Sequence, residues 1–214
     1  MPQYLYLHGF ASSPQSAKAQ AMKARFATLG LDLTIPDLNQ DDFGHLTLSR
    51  QIQQVSTLIQ SQSESTVLIG SSLGGLTAAW VAQQSTITAR IEKLVLLAPA
   101  FDFLQQWLPR LGPDQLNTWR TEGTLPVYHY TEQRTLPLAY DFITDAQGYS
   151  DDALNAPIPT LILHGTNDET ISIEASRAYA APRPWVRLVE LFSDHALTDV
   201  EKEIWQHTQG FLGL

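Results

Sequence analysis

Short apolar runs separated by segments of helical spacing constrain this chain more than any other feature. Tyr4–Leu7, Leu31–Ile35, Val67–Ile69, Leu94–Leu97 and Thr160–Leu163 are compact and rich in Leu, Ile or Val, and Val186–Phe192 is a sixth run that alternates more. Runs of this kind fit strands covered on both faces. Between them, Met22, Phe26 and Leu29 mark one helical stripe and Leu48, Ile52, Val55 and Ile59 another. Val200, Ile204 and Phe211 mark a third on the closing segment. Strands alternating with helices bury both apolar surfaces as a parallel sheet with helices on its two faces. The expected architecture is therefore α/β, doubly wound, in one domain over residues 1–214.

Composition narrows the function. With 214 residues, 43% of them hydrophobic and only 16% charged, the chain can bury a sizeable core and does not match a disordered one. The absence of cysteine excludes a disulfide scaffold, a thiolate zinc site and a cysteine nucleophile. A net charge of −9, with 13 scattered Lys and Arg, argues against a nucleic-acid partner. No apolar run approaches the roughly 18–20 residues of a membrane span, and the start has no basic, apolar leader. A protein of the cytoplasm is the expectation.

One stretch breaks the rhythm. Residues 101–152 hold Pro109, Pro113, Pro126 and Pro137 and are crowded with Trp107, Trp119, Tyr128, Tyr130 and Tyr140. A connection this long inside a domain is usually functional, and the aromatics argue against disorder. A lid-like insertion is expected, with Trp107, Trp119 and Tyr140 forming an apolar wall for substrate. The competing reading is a satellite core. Asp141, Asp145, Asp151 and Asp152 lack metal-ligand spacing and are expected to form a solvated acidic surface.

The strongest local signal is Gly70-Ser71-Ser72-Leu73-Gly74, which reads G-x-S-x-G between an apolar strand and a helical pattern. A serine on so tight a turn has strained backbone angles, and the glycines remove side chains that would collide beneath it. The following helix turns its N-terminal N–H groups toward Ser72, where negative charge develops when a hydroxyl attacks a carbonyl. No Lys follows at the Walker position, so a phosphate-binding loop is not the reading.

A serine nucleophile needs a base, and the base an orienting acid. Asp168 lies just beyond the apolar strand Leu161–Leu163, and His195 just beyond the next. Groups at the carboxyl ends of parallel strands converge on one crevice. The order Ser72, Asp168, His195 is that of one of the three common serine-triad arrangements. Asp102 is the competing acid, at the end of the preceding strand. His8 and His164, each before a glycine, are expected to hold loops. His45, His129 and His207 are expected to be solvated, although His129 lies in the insertion and within reach of a substrate. Asp194 suits a turn.

With Tyr4-Leu5-Tyr6-Leu7-His8-Gly9-Phe10-Ala11-Ser12-Ser13-Pro14 at its start, the elbow at Gly70–Gly75, and Asp168 and His195 near its end, the sequence resembles the α/β-hydrolases. More narrowly it resembles the small bacterial YqiA-type serine esterases, over nearly the full length. The resemblance implies a trimmed sheet of about six strands and an oxyanion hole built from two backbone amides. Those are Leu73, after the nucleophile, and Phe10 in the loop after the first strand, with Ala11 as the alternative. It also implies hydrolysis of a small-molecule carboxylic ester through an acyl-enzyme, with no cofactor and no metal. Rival readings are an acyl-thioesterase or acyltransferase with the same triad, and a non-catalytic module that binds ligand in the same pocket.

Overall fold

In the computed structural model, which describes residues 1–214, the apolar runs become parallel strands. The first half runs β1 (Gln3–Leu7), α1 (Ala17–Thr28), α2 (Leu48–Gln60), β2 (Thr66–Ser71), α3 (Leu73–Ala82) and β3 (Ile91–Leu97). Then come α4 (Phe103–Glu122), β4 (Thr124–His129), β5 (Arg134–Ala139) and α5 (Asp141–Ala146). β6 (Thr160–Gly165), α6 (Ile173–Ala180), β7 (Val186–Leu191) and α7 (Glu201–Leu212) close the chain.

The main sheet has the order β1-β2-β3-β6-β7, with every pairing parallel. Successive side chains on a strand point to opposite faces, and the core divides accordingly. Leu5, Leu7, Leu68, Leu96 and Ile162 pack on one face with Ile52, Val55 and Ile59 of α2, and with α3 and Tyr179 of α6. Tyr4, Tyr6, Val67, Ile69, Val95, Leu97, Leu161 and Leu163 pack on the other with Met22 and Phe26 of α1 and Ile204 and Trp205 of α7. Helices on both faces make the sheet doubly wound, and none of them is long and apolar enough to cross a membrane.

The sheet holds five strands, with a single bridge where a sixth was expected. Leu31–Ile35 contributes only the pairing of Thr34 with Leu5, through hydrogen bonds from Tyr6 N to Thr34 O (2.8 Å) and from Thr34 N to Tyr4 O (3.0 Å). Pro36 explains the brevity: it has no N–H to continue a ladder, and it restricts the residue before it.

Residues 101–152 fold into α4, a separate antiparallel hairpin of β4 and β5, and α5. α4 is broken at Gly112, whose φ of 74° lies outside the helical region and is followed by Pro113. Hydrogen bonds tie the hairpin to its surroundings. The indole N–H of Trp119 donates to Leu138 O (2.9 Å), and Tyr130 N donates to Ala11 O (2.9 Å) in the loop after β1.

Candidate active site

The turn between β2 and α3 leaves no room for side chains. A Cβ on Gly70 would stand 2.4 Å from Gly74 O, and one on Gly74 would stand 2.2 Å from Leu7 O. The end of β1 therefore lies directly against the start of α3, and Ser72 is forced to φ 52°, ψ −120°. A non-glycine residue held there costs on the order of 1–3 kcal/mol, and persists only where its surroundings fix it. They do: Ser72 N donates to Leu97 O (2.9 Å), and Ser72 O accepts from the amides of Gly75, Leu76 and Ala100.

The loops after β6 and β7 close on this serine. His195 Nε2 lies 3.0 Å from Ser72 Oγ, and its Nδ1 lies 2.7 Å from Asp168 Oδ2. The Nδ1 that faces a carboxylate carries the proton, so Nε2 offers its lone pair to the serine hydroxyl. The loop bearing His195 passes hard against the end of β6: a Cβ on Gly165 would meet Ser193 O at 2.4 Å.

The Asp168 carboxylate is buried and fully bonded. Its Oδ1 accepts the amides of Thr170 and Ile171, each at 2.8 Å, and its Oδ2 also meets His164 Nε2 at 3.1 Å. Burial alone would raise its pKa, but the hydrogen bonds from His164 and His195 prevail and hold it well below the usual carboxylate range. His164 Nε2 also faces Ile171 O (3.0 Å), so that nitrogen carries the proton and Nδ1 accepts from the Ser176 hydroxyl (2.7 Å). His164 does hold a loop, and the loop it holds is that of the acid. Its place at the end of the strand that leads into Asp168 was the sequence signal for this.

The loop after β1 abuts Ser72. A Cβ on Gly9 would touch Ser72 Cβ at 3.3 Å, and Ala11 sits at φ 51°. The Phe10 amide has no acceptor within the protein, and Leu73 opens α3, where N–H groups have no helical partner.

Ser72 and His195 open into a cleft of about 820 Å³. Phe10, Trp107, Leu111 and Leu125–Tyr128 of the hairpin form its apolar side, with Asn167, Glu169, Thr170 and Asp194 opposite. Trp107 thus lines the cleft, whereas Trp119 and Tyr140 do not. Trp119 has no exposed surface, and Tyr140 packs edge-on against it with ring centroids 5.6 Å apart. Tyr128 and Tyr130, named from sequence among the insertion's aromatics, also line the cleft, whereas Leu125 and Val127 were not singled out.

The other candidates divide between changed and unchanged expectations. His129 is fully buried, packed edge-on against Phe43 and 3.3 Å from Asn39 Nδ2. Asp102 turns away from His195; its amide donates to Asp151 Oδ2 at 2.7 Å. Asp145 accepts from Ser49 N at the start of α2, and Asp151 is partly buried and accepts from Asp102 N, so these two are not simply solvated surface. Asp194 receives the amides of Ala196 and Leu197, as a turn residue does. No three His, Asp or Glu side chains gather as a metal site would need.

Comparison with known proteins extends this geometry. The model of an uncharacterised protein family, UPF0227, matches residues 3–211. Mouse alpha/beta hydrolase domain-containing protein 10 superposes with a TM-score of 0.78 at 20% identity, over 98% of this chain and 89% of its own. Est1E from Butyrivibrio proteoclasticus, in a structure with ferulic acid bound, gives 0.78 at 18% identity, over 100% and 90%. A pyrethroid hydrolase from Sphingobium faniae gives 0.67 at 17% identity, over 98% and 96%. These likenesses show the α/β-hydrolase fold.

Proposed function

The chain belongs to the uncharacterised protein family UPF0227 and has the α/β-hydrolase fold, and from that premise we propose that it is a serine esterase of small-molecule carboxylic esters. The observation that carries the proposal is the unbroken hydrogen-bonded series from Ser72 through His195 to Asp168, at 3.0 and 2.7 Å, opening into a cleft. Ser72 Oγ attacks the ester carbonyl while His195 Nε2 takes its proton. Asp168 stays ionised and stabilises the imidazolium, which then protonates the departing alcohol. A water molecule, activated by the same imidazole, attacks the acyl-enzyme and releases the acid. His195 is a quarter exposed, so water has access to it.

The amides of Phe10 and Leu73 hold the oxyanion; each such donor supplies about 2.7–4 kcal/mol of transition-state stabilisation. The insertion of residues 101–152 serves as the substrate wall, and the acyl group lies along Phe10, Trp107 and the hairpin. Ferulic acid, bound by the neighbour Est1E, is an aromatic acid of the shape such a wall accommodates. The alcohol then lies toward Asn167, Thr170 and Glu169.

The test is Ser72→Ala. Hydrolysis of a chromogenic ester should fall at least about 10³-fold, and labelling by a fluorophosphonate should disappear. Near-wild-type turnover in that variant would sink the proposal. Matched oxygen esters and thioesters, with water or an added alcohol as acceptor, measure the preference among acyl-transfer reactions.

A further inference from the structure

A second cavity lies behind the aromatic wall of the cleft that holds Ser72. It measures about 240 Å³, and its floor is apolar, formed by the buried side chains of Leu48, Leu76 and Ala146. Its mouth is polar, with Asp102 and Gln147 exposed and Asp151 half-buried. Leu73 borders this cavity while Ser72 borders the cleft, so the two spaces diverge within one residue of the serine. Cavities of this size are few in a close-packed domain.

Aromatic rings separate the two spaces. Phe10 and Trp107 face the cleft, and Phe103 and Phe142 face the second cavity. The rings meet across this partition. Phe103 stacks on Trp107 with centroids 5.2 Å apart and planes 24° apart, and Phe142 stacks on Phe10 at 5.3 Å. Phe103 also meets Phe142 edge-on at 5.6 Å. On α4, Phe103 and Trp107 are one turn apart and share a face. The Phe103 ring therefore fills the space into which Trp107 would swing if the cleft were to deepen.

We propose that Phe103 sets the acyl-chain limit of the site: it backs Trp107, holds the partition closed, and keeps the second cavity from extending the acyl site. The proposal rests on the esterase reading, with the acyl group along Phe10 and Trp107. A short acyl group ends at the partition. A longer one turns back toward solvent and gains nothing from its further methylenes. With the Phe103 ring removed, Trp107 swings back and the chain reaches the floor of Leu48, Leu76 and Ala146. Each methylene buried there is worth roughly fourfold in affinity. Phe103 acts through Trp107 and touches no reacting atom, so it is a positioning residue for chain length.

The experiment measures kcat and KM of the full chain on nitrophenyl acetate, butyrate, octanoate and dodecanoate. The proteins compared are the wild type, Phe103→Ala, and Phe103→Ala combined with Ala146→Leu. Wild-type kcat/KM should stop rising at a chain length that Phe103→Ala exceeds. Phe103→Ala should raise the octanoate-to-butyrate ratio of kcat/KM at least about tenfold, chiefly through KM, as uniform binding does. Ala146→Leu narrows the cavity itself and should return most of that gain. Phe103 is half-buried, and Phe103→Leu is a milder truncation that should move the ratio the same way if Phe103→Ala does not fold. A ratio within about twofold of wild type in a folded Phe103 variant would overturn the proposal, even with all four esters slowed alike, as a purely structural ring would give. A gain that survives Ala146→Leu would overturn it too. A wild-type chain inert toward all four esters would instead refute the esterase reading on which it rests.

Discussion

Gly74 shows how much a single missing atom contributes. With Leu7 O and His8 O at 2.2 and 2.5 Å from where its Cβ would be, Gly74→Ala must push β1 and α3 apart. The expected loss is about 3 kcal/mol or more, lowering Tm by about 6–12 °C in a thermal melt. The spacing of Gly70, Ser72 and Gly74 made this turn legible in the sequence, because its chemistry is local. Asp151 was not legible: four nearby acids read as a solvated face, and only the packing shows one of them partly buried. Burial pushes its carboxyl up to about 6, against the Asp102 amide that bonds it. A carboxyl raised in the folded state contributes stability below its ordinary value near 4, and that contribution is lost as pH rises through about 6. Asp151→Asn should therefore stabilise the protein by about 1–3 kcal/mol at pH 7.5 and scarcely at pH 4, as denaturant titrations at the two values would show.

Among the elements, α4 divides its two tryptophans between different duties. Gly112 and Pro113 break the helix between Trp107 and Trp119, and the break cancels any periodicity that would have told cleft from core. Trp107→Phe, which keeps a ring against Phe103 and Phe142, should raise KM several-fold and lower Tm little. Trp119→Phe should do the reverse: it strips Leu138 O of its donor, costing about 1–3 kcal/mol, with KM within about twofold. Michaelis constants and melting temperatures of the two variants check the division. The hairpin itself escaped detection because Pro126 and Pro137 argue against strands. They face one another across a two-stranded ribbon whose outer edges need no further partners, which is where proline is tolerated. Four of the five parallel strands were legible for the opposite reason: covered on both faces, they leave a continuous apolar run, whereas the edge strand β7 alternates. The convergence of Ser72, Asp168 and His195 could be anticipated from their places after β2, β6 and β7. The support from His164 could not, since nothing in a sequence states what a buried ring touches.

At the scale of the whole molecule, the net charge of −9 and the carboxylates of Glu169 and Asp194 on the cleft rim act together, with no Lys or Arg among the cleft residues. An ester carrying a negative charge should therefore approach against the field. Its kcat/KM should rise about two- to fivefold between roughly 20 and 300 mM salt, while that of a neutral ester stays flat. The topology carries a further consequence. The bond between Ser72 and His195 joins positions 123 residues apart, and it forms at the rim only when the four neighbouring strands β2, β3, β6 and β7 are correctly ordered. Neither half of a severed chain owns a working pair. On the proposed esterase reading, turnover is thus a gauge of intactness for the entire sheet, so that the appearance of ester cleavage during renaturation, or after two clipped pieces are mixed, would time the last step of assembly.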